Sequence, residues 1–407
     1  MGISAEFEAI YEYVSTLPVF SDHEHHQTDD FFAEGVTLDR LVNNSYVAWT
    51  GYTCDGSDRA RAALLENVRY NSYFAWFERG LRKVHGLDCE LTADNWREIS
   101  DMVASRYAAD ADFHWWALLE NGYERLILDT YWDPGSDDGH PEAFTPTFRI
   151  DKLMSGHHAE AIAPDDFPVW ERYGFDGSDL DEFVEMMRAT IKARHQQGKV
   201  AAFKCAEAYN RDIDFLPDEK AAAKEAFGKH PSEISREQLR AFSNYIFNRA
   251  CDLAGELDVP FQVHTGLAML SGSRPMNFEP ILIKYPNVRF VLFHSGYPWT
   301  DEAAGLAHNH ANALPSLTWT ATICTSAAVR ALGDFIDVAA SCNCITWGSY
   351  CWTAEESIGA MMAWRFVVAK TLSERLADGR LTASRAEALA RKLMYENGRS
   401  VYGIAPA

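Results

Sequence analysis

The stretch Val19-Phe20-Ser21-Asp22-His23-Glu24-His25-His26 decides how the chain is read. It opens as an apolar strand and ends in a crowd of polar groups. Residues two apart in a strand share a face, so His23 and His25 can offer two imidazole nitrogens to one ion. The same residues also read as a polar strand end with solvent-facing histidines.

Outward from this segment, short β-branched or aromatic runs alternate with stretches of helical periodicity. The runs lie at 19–23, 125–130, 145–150, 200–206, 259–264, 288–294, 317–323 and 344–348. Such alternation is what a parallel sheet with crossover helices requires, and eight runs predict an α/β fold of the (β/α)8 TIM-type barrel class. No repeat and no Gly/Ser/Pro-rich linker divides the sequence, so residues 1–407 are expected to form one domain. Residues 27–122, rich in helix formers and aromatics, predict a helical insertion after the first strand, lying over the barrel mouth. Ser235-Arg236-Glu237-Gln238 reads as a capping box opening a helix that runs to Leu257. The tail from Ser373 to Tyr402 predicts extra C-terminal helices.

Two later runs end as the first does. Phe261-Gln262-Val263-His264-Thr265-Gly266 and Val291-Leu292-Phe293-His294-Ser295-Gly296 each close an apolar strand with a histidine and a glycine turn. A lone strand-end histidine is commonly just hydrogen-bonded. Several of them, at the end where barrel enzymes keep their sites, point to a metal centre. His157, His158, His195, His308 and His310 do not sit at strand ends and read as surface residues.

Composition narrows the function. The 407 residues are 47% hydrophobic, enough for a large core, and the 59 acidic against 37 basic residues give a net charge of −22. That balance excludes a phosphate-tracking nucleic-acid binder and an anionic membrane surface as partners. Glu6, Glu8 and Glu12 interrupt the first apolar positions, so neither a signal peptide nor a membrane span is expected. The eight cysteines show no CxxC spacing and read as reduced thiols of a cytoplasmic protein.

In order along the chain, the His23/His25 pair, Lys204 in Phe203-Lys204-Cys205, His264, His294 in His-Ser-Gly-Tyr-Pro-Trp, and Trp347-Gly348-Ser349-Tyr350-Cys351-Trp352 resemble the amidohydrolase superfamily. The branch it resembles includes the uronate isomerase relatives and the amidohydrolase-like half of certain glutamine-synthetase fusions, and the resemblance runs from Leu17 to about Gly403. It implies a mono- or dinuclear site built from His23, His25, His264, His294 and an Asp closing the eighth strand. In the family that Asp binds metal and takes a proton from the attacking water. Here its position holds Tyr350.

A tyrosine, with a pKa of about 10, is a poor base for water, which puts ordinary hydrolysis in doubt. Phenolate is instead a hard oxygen donor suited to oxidised iron. Tyr350, His294 and Lys204 are therefore the expected catalytic residues, with Tyr350 also a candidate ligand. Two divalent ions, iron or iron with manganese, are expected, with zinc as the alternative. Glu207 and His26 are further candidate ligands for a second ion, although His26 reaches inward only where the strand has ended. A weaker similarity to the amidohydrolase-related dinuclear oxygenases, which include a 2-aminoisobutyrate hydroxylase, implies O2 activation and hydroxylation of a small organic substrate. A metal-dependent hydrolase, lyase or isomerase, and a catalytically silent barrel subunit beside a paralogous partner, are the competing expectations.

Arg149, Tyr209, Arg211 and Trp352 are the expected substrate-binding residues. Arg149 reads either as a carboxylate partner or as a contact of Asp151. Lys204 reads as a carbamylated metal bridge, an ammonium donor to substrate, or the buried partner of an acid. Trp299, Trp347 and Trp352 would make the mouth apolar, or simply pack beneath a lid. An oligomer is expected.

Overall fold

The computed structural model describes residues 4–162 and 167–405. Strand β1 (Val19–Glu24) pairs in parallel with β2 (Tyr123–Leu128), and β2 with β3 (Phe144–Pro146). A second parallel ladder runs through β4 (Phe148–Arg149), β5 (Phe203–Cys205), β6 (Phe261–Val263), β7 (Phe290–Leu292) and β8 (Ala313–Pro315). β3 and β4 are halves of one barrel strand. Thr147 donates its N–H to Leu128 O at 2.8 Å and Phe148 donates to Ala202 O at 2.9 Å, so the chain changes neighbour between them.

Residues 345–350 take the last barrel position without forming a regular strand. On one side the N–H groups of Leu317 and Trp319 donate to Thr346 O and Gly348 O, each at 2.9 Å. On the other, the N–H groups of Asp22 and Tyr350 donate to Trp347 O and His23 O, also at 2.9 Å. The ladder is interrupted, but hydrogen bonds pass around the whole ring of a (β/α)8 barrel. The buried Asp22 carboxylate adds a polar stitch, accepting from the hydroxyls of Ser316, Thr318 and Thr346. Gly348 permits the close approach, because a methyl there would overlap Asp22 Oδ1 and His23 N.

The run 317–323 is not a strand, as its threonines suggested. The strand is Ala313–Pro315, and the chain then turns at Trp319, φ 64°, into a short helix, Thr320–Ile323. The β-branched residues bond locally: Thr322 donates its hydroxyl to Trp319 O at 3.0 Å, and Thr318 to Asp22.

Residues between β1 and β2 are largely helical; the turn Tyr46–Thr50 reaches the barrel mouth, and Tyr73 stacks 6.1 Å from Trp319 beside it. Helix Ser72–His85 lies along helix Ala354–Ala377, where Gly80 and Gly359 let the backbones touch. Glu356, in the first turn of that long helix, accepts the N–H of Tyr46 at 2.7 Å and of Trp352 at 3.2 Å, and so fastens the turn to the mouth. The capping box is formed as expected, with Ser235 and Gln238 bonded reciprocally at the start of helix Arg236–Leu257. C-terminal helices cover the opposite end, where the Tyr402 ring stacks 5.9 Å from Phe20. All eight cysteines are free thiols. Among the described residues no helix is long and apolar enough to cross a membrane.

Candidate metal centre

The orientation of His23 is set from behind. Gln262 donates its Nε2–H to Asp22 O at 2.7 Å and to Tyr402 Oη at 2.9 Å, which turns its Oε1 toward His23 Nδ1 at 2.8 Å. An amide oxygen only accepts, so His23 carries its proton on Nδ1 and points the Nε2 lone pair inward. That buried Nε2 has no well-aligned hydrogen bond and lies 3.3 Å from Asp129 Oδ2. His25 Nδ1 likewise donates to the Asp129 backbone O at 3.1 Å, leaving its own Nε2 as the acceptor. One ligand atom from each of His23, His25 and Asp129 lies within 4.8 Å of the others.

A second convergence lies across the barrel. His294 Nδ1 meets Thr318 O at 2.9 Å, and His264 Nε2 meets Leu267 O at 2.8 Å. Both outer nitrogens must donate to these carbonyls, so in the neutral rings His294 Nε2 and His264 Nδ1 face each other as lone pairs, 3.0 Å apart. A shared cation, a proton or a metal, would relieve that arrangement. Tyr350 Oη is 3.4 Å from His264 Nδ1. The Tyr350 ring lies between the two groups, its centroid 4.6 Å from His25, 5.0 Å from His23 and 4.8 Å from His294.

Electrostatics favour ligands over charged pairs. Burial, helped by Lys204, holds His23, His264 and His294 well below the usual histidine range, and His25 is pushed down to about 3. All four are neutral imidazoles, the form that binds metal. Burial alone would raise Asp129, but Arg149 and the two histidines beside it keep it well below the usual carboxylate range. Arg149 grips Asp129 Oδ2 through Nη2 at 2.5 Å and Nε at 3.0 Å. Burial, then Tyr209, keeps Tyr350 a neutral phenol in the metal-free chain. Lys204 Nζ, fully buried and without a hydrogen bond, sits 4.0 Å over the Phe293 ring and 5.1 Å over that of Tyr350. His294, Trp319 and Tyr350 all have left-handed backbones, φ 62°, 64° and 68°, the kind of local strain that collects at functional sites. The orphaned His23 nitrogen, the facing lone pairs of His264 and His294, and the nearby oxygen donors together fit divalent cations.

The sequence matches the family described as Amidohydrolase over residues 109–404. The chain belongs to that family. Among solved structures, this amidohydrolase chain is similar in fold to a uronate isomerase from Thermotoga maritima, with TM-score 0.76 and 15% identity, covering 98% of each chain. A glucuronate isomerase from Caulobacter crescentus gives TM-score 0.74 at 16% identity, over 99% of this chain and 95% of that one. A sequence relative, protein fluG of Emericella nidulans, is 26% identical over 155 residues, spanning 32% of this chain and 18% of that protein. The chain thus corresponds to less than a fifth of that relative's length.

The amidohydrolase centre brings together His23, His25, His264, His294, Lys204 and Tyr350 at or near the strand ends. His26 goes elsewhere: its Nδ1 meets His114 Nε2 at 2.9 Å, Nε2 lies 3.3 Å from Ser357 Oγ, and Glu24 is 3.6 Å away. β1 is still extended at Glu24, and the chain then keeps His26 off the centre. Glu207 also stays out of the clustered ligands and faces a separate cavity. Arg149 binds chiefly Asp129, with Asp151 at 3.8 Å, so it supports a candidate ligand. Tyr209 faces the centre, its ring 4.5 Å from His264, whereas Arg211 bonds the loop carbonyls of Asp212 and Asp214.

Trp352 does cover the centre, stacked 6.2 Å from His25 and 4.5 Å from Tyr46. Trp347 does not; it stacks on Trp364, 5.6 Å away on the helical side. Trp299 packs under Arg274. The roof instead includes Trp319, 4.4 Å from Tyr46 and 5.5 Å from Tyr350. His157 is buried, not on the surface. Sequence reasoning passed over Asp129, although it closes the apolar run Leu126-Ile127-Leu128 just as His264 and His294 close theirs.

Proposed function

We propose that the chain is a dinuclear non-haem oxygenase, using iron or iron with manganese, that hydroxylates a small organic substrate. The observation that carries this reading is Tyr350, lodged among four neutral histidines where a proton-accepting carboxylate would serve hydrolysis. Asp129 is a poor substitute base, because Arg149 stabilises its ionised form. His23, His25 and Asp129 would hold one ion, a two-histidine, one-carboxylate set of the kind that non-haem iron oxygenases use. His264, His294 and Tyr350 would hold the other. Iron bound there would supply the capacity to reduce O2 and oxidise a C–H bond.

The protein residues do the rest. Tyr46, Trp319 and Trp352 exclude water and receive an apolar substrate portion. Tyr350 holds or releases a proton at Oη beside His264 Nδ1. Inserting one oxygen atom of O2 into C–H consumes two electrons and two protons and releases water, so an external reductant is part of the reading.

A second reading, a metal-dependent hydrolase, lyase or isomerase with zinc, is favoured by Lys204. Burial pushes its ammonium down to about 7, which suits proton transfer. Loading with Fe and Mn, then recording the visible spectrum and O2 uptake, separates the two. The oxygenase reading expects a tyrosinate-to-iron band that is lost in Tyr350→Phe, together with reductant-dependent O2 uptake. A colourless protein active with one zinc would return the case to the Lys204 reading.

A further inference from the structure

Away from the metal centre, a cavity of about 710 Å³ opens between the end of helix Asp151–Ser155, the turn Glu207–Tyr209 and the first turns of helix Arg236–Leu257. Its volume falls in the range of small-molecule sites. Arg211, Arg236, Arg240, His157, Glu207 and Ser243 supply its polar wall. Met154, Ala161, Ile162, Ile234 and Leu239 supply an apolar one.

The polar groups are not all used up by the protein. His157 is 3% exposed; its Nδ1 donates to Ser155 O at 3.1 Å, so its unpartnered Nε2 carries a lone pair. Arg211 spends Nε and Nη2 on Asp212 O, Asp214 O and Asn244 Oδ1, yet its Nη1 is also buried without a partner. Arg240 is engaged by Asp212 at 2.6 Å. Glu207 adds no fixed negative charge at neutral pH, since burial and then Asp151 push it up to about 8. Asp212, 2.6 Å from Arg240 and 3.6 Å from Arg211, and Asp214, 3.6 Å from Arg240, offset part of the charge of the three guanidinium groups, and Arg236 is left as the excess positive group of the wall.

We propose that this cavity binds a small organic carboxylate, its charged end against Arg211 and Arg236 and its hydrocarbon body against Ile162 and Leu239. The occupant lies one turn of chain from the metal centre, since Tyr209 of the same turn packs on His264 while Glu207 faces the cavity. The site is therefore separate from the ligands described above, and does not depend on which metal or reaction they serve.

Hexanoate and its neutral isostere hexanamide are suitable probes, titrated by calorimetry into the full chain before and after chelator treatment. Hexanoate should bind roughly tenfold more tightly than hexanamide, as expected when a charge-assisted pair is lost. That preference should survive metal removal and shrink several-fold in Arg236→Glu, an exposed position, and in Arg211→Gln. Arg211 also braces its loop, so the exposed Arg236 variant keeps the test independent of folding. Equal binding of the two probes, no binding of either, or hexanoate binding that disappears with the metal and ignores Arg236→Glu would overturn the proposal. The last result would place the carboxylate on the metal centre instead.

Discussion

Gln262 determines which nitrogen of His23 faces the centre, although it would touch no ion itself. Replacing it with Leu removes the acceptor for His23 Nδ1–H and frees the ring to change tautomer. Metal affinity in Gln262→Leu should fall by roughly 10–100-fold in chelator competition, the usual cost of losing such a support. An unchanged affinity would show that His23 is oriented by other means. Lys204 gives a prediction about pH. Its pKa falls on folding from the ordinary 10.5 to about 7, chiefly through burial. Between those values the unfolded chain binds more protons, so stability rises with pH, and the penalty for burying the lysine is fully present below about 7. Lys204→Met in the metal-free chain should raise stability at pH 6 to 7 and flatten its increase toward pH 10, measured by denaturant unfolding. A less stable variant at pH 6 would mean that Lys204 has a partner that its surroundings do not reveal.

Among the elements, the contact between helices Ser72–His85 and Ala354–Ala377 depends on two glycines. A methyl on Gly359 would overlap the Trp76 carbonyl, and one on Gly80 would overlap Glu355 O and Gly359 N. Gly359→Ala should cost about 1–3 kcal/mol, as overpacking does, visible as an earlier guanidinium midpoint. A midpoint equal to wild type would show that the pair of helices separates without penalty. This contact was invisible in sequence, because two glycines in separate helices carry no periodic signal. The strands were readable where apolar runs ended in a polar residue, as at His23, His264 and His294. They were misread where threonines served hydroxyl bonding, as at Thr318 and Thr322. Helices occupy much of residues 27–122, but where those helices pack depends on contacts with residues more than two hundred positions away.

Across the whole molecule, the barrel was legible because most strand positions leave a local mark, Ala313–Pro315 being the exception, and the candidate site drew attention because its histidines close apolar strands. Asp129 was equally placed to be noticed, yet a carboxylate after an apolar run carries less surprise than a histidine. The roof was harder. Tyr46 and Trp319 meet over Tyr350 only through folding, and nothing in their local sequence distinguishes them from Trp347 or Trp299, which pack elsewhere. The separate cavity was hidden for the same reason, since its wall joins residues of three distant segments.

In the proposed centre, His23, His25 and Asp129 form one ligand group and His264, His294 and Tyr350 another. Elemental analysis of protein purified without chelator tests it most directly. About two ions per chain are expected, with His23→Ala and His264→Ala each losing about one while remaining folded by circular dichroism. A wild-type chain that carries no metal, or a metal content indifferent to both substitutions, would contradict it.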